Sequence, residues 1–201
     1  MCSCGGSRPA PPPPTPVAKC PLTGKDANWN LQQIKDSVTN CDGGTGVYAA
    51  AKAANGGADP TVVTGPTAGG GHTLMSTGTI TLDPCYDKCI IMDVYVIELA
   101  NLSHKGDFDN IMGPDCSGGV RGREDYIKAI ERKEYEGVKT ALTAFDACKD
   151  KRGCTTSYYE WARPHSASFD DYYKNLSNSH KEHYGTDWDS RCKAAYDAKH
   201  P

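Results

Sequence analysis

The ten cysteines of this 201-residue chain constrain its fold more than any other feature. Leu, Ile, Val and Phe together supply only 28 residues, which is a small stock of apolar side chains for a core. An even number of cysteines in such a chain predicts a disulfide framework formed in an oxidising compartment. A zinc site and free thiols are the alternatives, although neither Cys2-x-Cys4 nor Cys85-x-x-x-Cys89 has the paired spacing of a structural zinc site. The cysteines are Cys2, Cys4, Cys20, Cys41, Cys85, Cys89, Cys116, Cys148, Cys154 and Cys192.

Charge and hydropathy exclude two broad classes of protein. The formal net charge is -3, so we expect no nucleic acid bound through bulk positive charge. No run approaches the 18 or so apolar residues of a membrane span. The first residues also lack the basic and apolar pattern of a signal peptide. Disulfides together with the absence of a visible leader indicate either that the leader has been removed or that the protein is exported by a route that needs no leader.

The expected fold is α+β, a mostly helical single domain with a small antiparallel strand pair, stapled by disulfides. Residues 1–19 are rich in Gly, Ser and Pro and predict a disordered tail, either a spacer or a docking segment. Residues 20–201 form the predicted globular domain. A pairing of Cys148 with Cys154 could close a small loop.

Apolar spacing predicts the main elements. The first helix is expected to begin near Asp26 and to end at Gly43-Gly44, and a helix from Gly46 to Ala54 follows it. The predictions after it, in order, are a short β-like run at Thr61–Thr64, a strand over His72–Leu82, a helix over Cys85–Lys105, a loop over Gly106–Gly122, a helix over Arg123–Lys149, and two or three short helices over residues 157–199.

The segment most indicative of a functional site lies inside the predicted apolar helix over Cys85–Lys105. Glu98 and Asn101 are three positions apart, so a helix places them on one face. A lone carboxylate in such a helix is costly unless it is hydrogen-bonded or used. The structural alternative is that Glu98 pairs with Lys105 or caps a neighbouring backbone.

The strand over Thr73–Leu82, followed by a helix with a central Glu, resembles the edge strand and active-site helix of zincin metallopeptidases. In that family the helix carries H-E-x-x-H, and the same positions here are Ile97-Glu98-Leu99-Ala100-Asn101. The resemblance assigns the general-base position to Glu98. Both zinc-binding histidine positions are replaced, so it implies a degenerate core without the zinc of the family.

A wider set of residues over about 72–145 is similar to bacterial type VI secretion effectors of the EvpP kind. This resemblance implies a secreted virulence effector or toxin, with a target-cell protein or a component of the secretion machine as partner. Cargo of this kind has no cleavable leader and often ends in an oxidising compartment. The residues that carry it are Glu98-Leu99-x-Asn101, Asp125-Tyr126-Ile127 and Glu131-x-x-Glu134-Tyr135-Glu136.

Two further groups of polar residues are candidates for chemistry. Glu131, Glu134 and Glu136 predict a solvated helix face, but Glu131 or Glu134 could approach Glu98 and raise its pKa if the two helices pack. His180 and His183 have the i,i+3 spacing that can chelate zinc or nickel on a helix, and His104 is a third candidate ligand. The alternative is that these histidines are exposed and bind nothing. We therefore expect no cofactor, with zinc as the metal to test.

These observations predict a secreted effector that binds its target through a degenerate metallopeptidase-like core, with Glu98, Asn101 and Glu134 at the site. The alternative function is an active hydrolase, a metal-dependent peptidase or amidase with Glu98 as general base and support from His104, His180 or His183. A secreted structural or adhesive protein is a third reading. Whether the protein is an enzyme stays open at this point.

Overall fold

A computed structural model describes residues 29–67, 69–113, 122–154 and 160–200, with only the backbone described for residues 149–152. The predicted tail over residues 1–19 lies outside these ranges. In chain order the elements are α1 (Leu31–Thr39), α2 (Asp42–Ala54), β1 (Thr61–Thr64), β2 (Gly71–Leu74), β3 (Thr79–Leu82), α3 (Lys88–Ser103), α4 (Lys105–Met112), α5 (Arg123–Arg152), a 3₁₀ helix (Glu160–His165), α6 (Phe169–Asn175), α7 (Asn178–Arg191) and α8 (Lys193–Lys199).

Helix α3 is the centre of the core. Asp87 caps it by accepting hydrogen bonds from the N–H groups of Cys89 and Ile90. Every residue from Ile91 to Leu102 is buried, as is typical of a helix that is apolar on all sides. Helices α1, α2 and α5 and strands β2 and β3 surround α3. The polar residues of α3 are therefore enclosed by the fold.

The three strands form a small mixed sheet in the order β1-β3-β2. Strands β2 and β3 are antiparallel, and β1 adds a third strand parallel to β3, so the sheet predicted as an antiparallel pair has three strands. The single strand predicted over His72–Leu82 is wrong, because a turn over residues 75–78 divides it into a hairpin. Gly78 has a φ of 63° in this turn, a conformation that residues with a Cβ rarely adopt. The fold is mostly helical α+β, as predicted.

The boundary predicted between the first two helices is wrong. Helix α1 begins after Asn30, whose side chain forms a capping box with Gln33, and Asp26 lies outside the described residues. Gly43 and Gly44 do not end α1 but lie in the first turn of α2. A Cβ at Gly44 would lie 1.9 Å from the carbonyl oxygen of Val38, so this glycine permits a close helix contact rather than a stop.

Disulfides tie the long helix α5 to the rest of the core. Cys41 bonds Cys148, and Cys89 bonds Cys154. The predicted loop between Cys148 and Cys154 is therefore wrong. Cys85 is also disulfide-bonded, as is Cys192, so neither Cys85 nor Cys89 is free to bind zinc. Disulfides form and persist in oxidising compartments.

The second half of the chain adds α4, α7 and α8 around the first part of α5. The loop predicted over Gly106–Gly122 is wrong for residues 106–112, because α4 extends from Lys105 to Met112. Phe108, Tyr126, Ile130 and Trp188 form a second apolar cluster that holds α7 against α5. Within the described ranges, no helix is long and apolar enough to cross a membrane.

Candidate functional site

Polar side chains from one strand and three helices converge where β2, α3, α5 and α7 meet. A buried cluster of this kind is unusual, because burying polar groups costs free energy unless they are bonded or used. Its members are Thr73 on β2, Glu98 and Asn101 on α3, Glu131 and Glu134 on α5, and His180 and Tyr184 on α7.

Glu98 is a buried acid on α3, with 9% of the residue exposed. The Thr73 hydroxyl donates a hydrogen bond of 2.6 Å to Glu98 Oε2. Burial raises the pKa of Glu98 to about 7, and the charge of Glu134 adds to this rise, while the Thr73 bond and the charge of His180 oppose it. This carboxyl group is therefore able to gain or lose a proton near neutral pH.

Gly71 leaves space for the Glu98 side chain under β2. A Cβ at Gly71 would lie 3.1 Å from Glu98 Oε1 and 2.3 Å from a methyl group of Val94. The last glycine of the Gly69-Gly70-Gly71 run thus permits close packing of β2 on α3.

Glu131 and His180 form a partly buried pair across α5 and α7. His180 Nδ1 lies 2.9 Å from Glu131 Oε1, and Glu131 has no exposed surface. Burial alone would lower the pKa of His180, but the hydrogen bond and charge of Glu131, with the charges of Glu134 and Glu98, raise it to about 9. His180 is therefore an imidazolium at pH 7. Its side chain is 40% exposed, so a bound molecule can reach the ring.

Glu134 is held by two donors. The Tyr184 hydroxyl donates to Glu134 Oε1, and the amide of Asn101 donates to Oε2 at 3.3 Å. Burial raises the pKa of Tyr184 well above its ordinary value, and Glu134 adds to this, so Tyr184 stays a donor. Two buried oxygens of the cluster, Asn101 Oδ1 and Glu131 Oε2, have no hydrogen-bond partner.

Two histidines lie at the exposed edge of the cluster. The ring of His183 makes an edge contact with Tyr184, with ring centroids 5.2 Å apart. The pKa of His72 is lowered by burial and by the charge of His183, and Glu134 opposes that shift. The charges of His183 and Glu134 therefore both act on His72.

Gly137 gives a first prediction about this site. A Cβ there would lie 2.4 Å from Asn101 Oδ1. Gly137→Ala should therefore displace the Asn101 amide from Glu134 and lower the free energy of unfolding by about 1–3 kcal/mol. Gly46→Ala is the matched control, because a Cβ at Gly46 meets nothing within 4 Å and the helix propensity of Ala should raise stability by up to about 1 kcal/mol. Urea unfolding measures both, and equal effects would contradict the prediction.

The structure brings together four of the six residues predicted from the sequence. Glu98, Asn101, Glu134 and His180 lie in one cluster, and His183 lies at its edge. His104 lies outside the cluster, beside Asp107 and Glu136. Lys105 pairs with Asp109 at 2.7 Å, so it is not the partner of Glu98.

His104 belongs to a second polar group with Asp107 and Glu136. Among the described residues, this is the group that places three candidate metal-ligand atoms within 4.8 Å of one another. The ammonium group of Lys133 lies 3.1 Å from Asp107 and 3.0 Å from Glu136, so a protein cation already compensates these charges. The predicted zinc set of His104, His180 and His183 is thus divided between two groups.

Sequence reasoning missed two members of the cluster, Thr73 and Tyr184, and named Glu131 only as an acid that could approach Glu98. Thr73 and Tyr184 carried no signal of their own beyond the i,i+4 spacing of Tyr184 from His180. Glu131 was predicted on a solvated face, and this is wrong because α7 covers it completely. Its i,i+3 spacing from Glu134 was the available signal.

Comparisons with family models, curated proteins and solved structures give no significant match to this chain. The pKa values of Glu98 and His180 are both raised above their ordinary ranges, for Glu98 chiefly by burial and for His180 by Glu131 and the neighbouring acids. Pairs of groups displaced in this way are typical of acid–base sites.

Proposed function

We propose that this protein is a secreted hydrolase whose site works by general acid–base catalysis. The observation that carries the proposal is the convergence of Glu98, Glu131, Glu134 and His180 from three helices onto one buried, partly accessible cluster. Structural ion pairs are mostly exposed, whereas burying the carboxylates of this cluster costs free energy of folding.

Glu98 is the general base in this proposal. In its ionised form it removes a proton from a water molecule, and the water oxygen attacks the acyl carbon of an amide or ester. A base with a pKa of about 7 is well matched to this step at neutral pH, because it is substantially ionised and still basic.

His180 is the general acid. Its Nδ1 faces Glu131, which leaves Nε2 to donate a proton to the leaving nitrogen or oxygen as the bond to the acyl carbon breaks. Glu131 orients the ring and keeps it protonated. Glu98 then releases its proton to solvent and His180 regains one, so the site returns to its starting state.

Glu134, Asn101 and Tyr184 are positioning residues in this scheme. Tyr184 and Asn101 each donate to a different oxygen of Glu134, which fixes the carboxylate. The charge of Glu134 raises the pKa of both Glu98 and His180. It thereby favours a moderately strong base and a protonated acid in one site.

The secreted, effector-type role is part of the proposal. The disulfides Cys41–Cys148 and Cys89–Cys154 support it, because they need an oxidising compartment. A target-binding effector without catalysis is the second candidate. What favours it is that Ile97, buried in the core, and Asn101, bonded to Glu134, stand where the zinc-binding histidines of a zincin would be.

Isotope incorporation tests the hydrolase without a known substrate. The protein is incubated with a library of peptides, amides and esters in H₂¹⁸O, and products are analysed by mass spectrometry. We expect ¹⁸O in the new carboxyl groups with the wild-type protein and not with Glu98→Gln. If no library member acquires ¹⁸O with the wild-type protein, while a captured target binds wild type and Glu98→Gln equally, the binding candidate replaces the hydrolase.

The pH dependence of kcat/KM is a further prediction. Activity needs Glu98 ionised, so it should rise with pH through about 7, and it needs His180 protonated, so it should fall through about 9. The profile should be bell-shaped with a maximum at about pH 8, between those two pKa values. His180→Gln should lose the alkaline limb and keep the acidic one. A wild-type profile that is flat from about pH 6 to 10 would contradict the assignment.

A further inference from the structure

A row of cations and aromatic rings lies on α5, α6 and α7, outside the catalytic cluster. We define this basic–aromatic row by three ring-and-cation pairs. Lys139 lies over Tyr135 with 4.4 Å from Nζ to the ring centroid, Arg132 lies over Phe169 at 4.3 Å, and Lys181 lies over Tyr173 at 4.4 Å.

The three rings are continuous. Tyr135 and Phe169 have centroids 6.0 Å apart, and Phe169 and Tyr173 have centroids 5.5 Å apart. Lys128 adds a fourth cation 5.8 Å from the Tyr173 ring, although it also pairs with Glu124. Four cations therefore lie along three neighbouring rings, and the Tyr173 hydroxyl donates a hydrogen bond to an acid beside them, Glu124.

The cations of the row are available to a partner. Arg132 and Lys139 are exposed and are seven residues apart on α5, so they lie on the same face of that helix. Within the described part of the chain, neither they nor Lys181 is in an ion pair with a carboxylate. Because the net charge of the chain is -3, this row is a local basic surface on an acidic protein.

An exposed tryptophan adjoins the row. Trp161 is 42% exposed and stacks on Tyr172 with centroids 5.8 Å apart, and Tyr172 lies 5.3 Å from Tyr135. The other two tryptophans, Trp29 and Trp188, are 6% and 5% exposed. An indole at the surface beside Lys and Arg is the combination that favours a membrane–water interface.

We propose that the basic–aromatic row and Trp161 bind the surface of a membrane that contains anionic phospholipids. The cations would contact lipid phosphates, and Trp161 would enter the interfacial layer. A nucleic acid fits less well, because Tyr135 and Phe169 are buried beneath their cations and offer no open face for base stacking. An acidic polypeptide also fits less well as the partner, because its binding would not involve the exposed indole of Trp161.

Vesicle binding tests this proposal on the full chain. Vesicles of phosphatidylcholine alone are compared with vesicles that also contain phosphatidylglycerol, by sedimentation and by tryptophan fluorescence. We expect binding to the anionic vesicles only, with a blue shift that comes from Trp161 and is absent in Trp161→Phe. Because each basic residue near an anionic surface adds several-fold to binding, the triple variant Arg132→Gln, Lys139→Gln, Lys181→Gln should bind roughly a hundredfold less.

A charge-matched variant is the control. The control variant carries Lys35→Gln, Lys52→Gln and Lys88→Gln, which remove three positive charges from α1, α2 and α3. It should bind anionic vesicles like the wild-type protein, apart from a change of less than about threefold that comes from net charge. Three results would overturn the proposal. These are equal losses in the two triple variants, no shift of Trp161 emission on anionic vesicles, and equally tight binding of an RNA oligomer or polyglutamate that does not depend on Trp161.

Discussion

Replacing Glu98 by Gln is expected to lower kcat/KM by about 10²–10⁴-fold, because Gln keeps the shape of the side chain but cannot accept a proton from water. The Thr73 hydroxyl can still donate to the Gln oxygen, so the local packing is retained. The measurement is hydrolysis of a substrate found by ¹⁸O incorporation. Glu182→Gln is the matched control, since the same chemical change at a side chain 66% exposed should leave kcat/KM unchanged.

The same substitution should stabilise the protein at neutral pH. The pKa of Glu98 is 4.5 in the unfolded chain and is raised to about 7 in the folded protein. Because the unfolded chain therefore loses this proton first, the free energy of unfolding falls as pH rises between these values. Below pH 4.5 both states are protonated and the effect is absent. Glu98→Gln removes the loss, which is on the order of 3 kcal/mol above pH 7.

Higher stability with lost activity is the expected combination for a functional group whose burial costs stability. Urea unfolding at about pH 5 and pH 8 measures it, with the stability gain confined to the higher pH. Full activity in Glu98→Gln, or a variant that is less stable than the wild type at both pH values, would contradict the role of Glu98.

Removal of the Cys41–Cys148 disulfide is expected to have the largest effect on stability. The bond joins residues 107 apart in sequence, and both cysteines are buried. Without it the unfolded chain gains loop entropy, and the free energy of unfolding should fall by about 4 kcal/mol. This corresponds to a loss of about 10 °C in Tm for a chain of this size.

The single and double variants control one another. Cys41→Ala, Cys148→Ala and the double variant each remove the same cross-link, so their effects should not add. Thermal unfolding without reductant measures the Tm of each protein. After full reduction, the wild type and the variants should have similar Tm values. A double variant with a Tm within about 2 °C of the wild type would show that the bond contributes little.

Local sequence was sufficient to predict the long helices but not how the chain is tied together. The apolar run before Ser103 and the spacing of Ile127, Ile130 and Val138 fixed α3 and α5, because they depend on neighbours along the helix. The pairing of Cys41 with Cys148 depends on how α2 crosses α5. Gly43 permits that contact, since a Cβ there would lie 2.8 Å from Ala144, although a glycine locally favours a stop.

The site divides in the same way. Glu98 and Asn101 were identified because a polar pair in an apolar helix is visible in sequence. Burial of Glu131 depends on α7, whose His180 lies 49 residues further along, so its i,i+3 spacing from Glu134 on α5 could not show that it is covered. His104 looked like a ligand by residue type, but the fold gives it the neighbours Asp107 and Glu136.

The central claim is that Glu98 is a buried base that titrates near neutral pH. The direct measurement is a ¹³C NMR titration of protein labelled at the Glu side-chain carboxyl carbons, with the Glu98 resonance assigned by its absence in Glu98→Gln. We predict a titration midpoint of about 7. A midpoint near the ordinary value of 4.5 would mean that Glu98 is a solvated carboxylate, and the acid–base site would have to be abandoned.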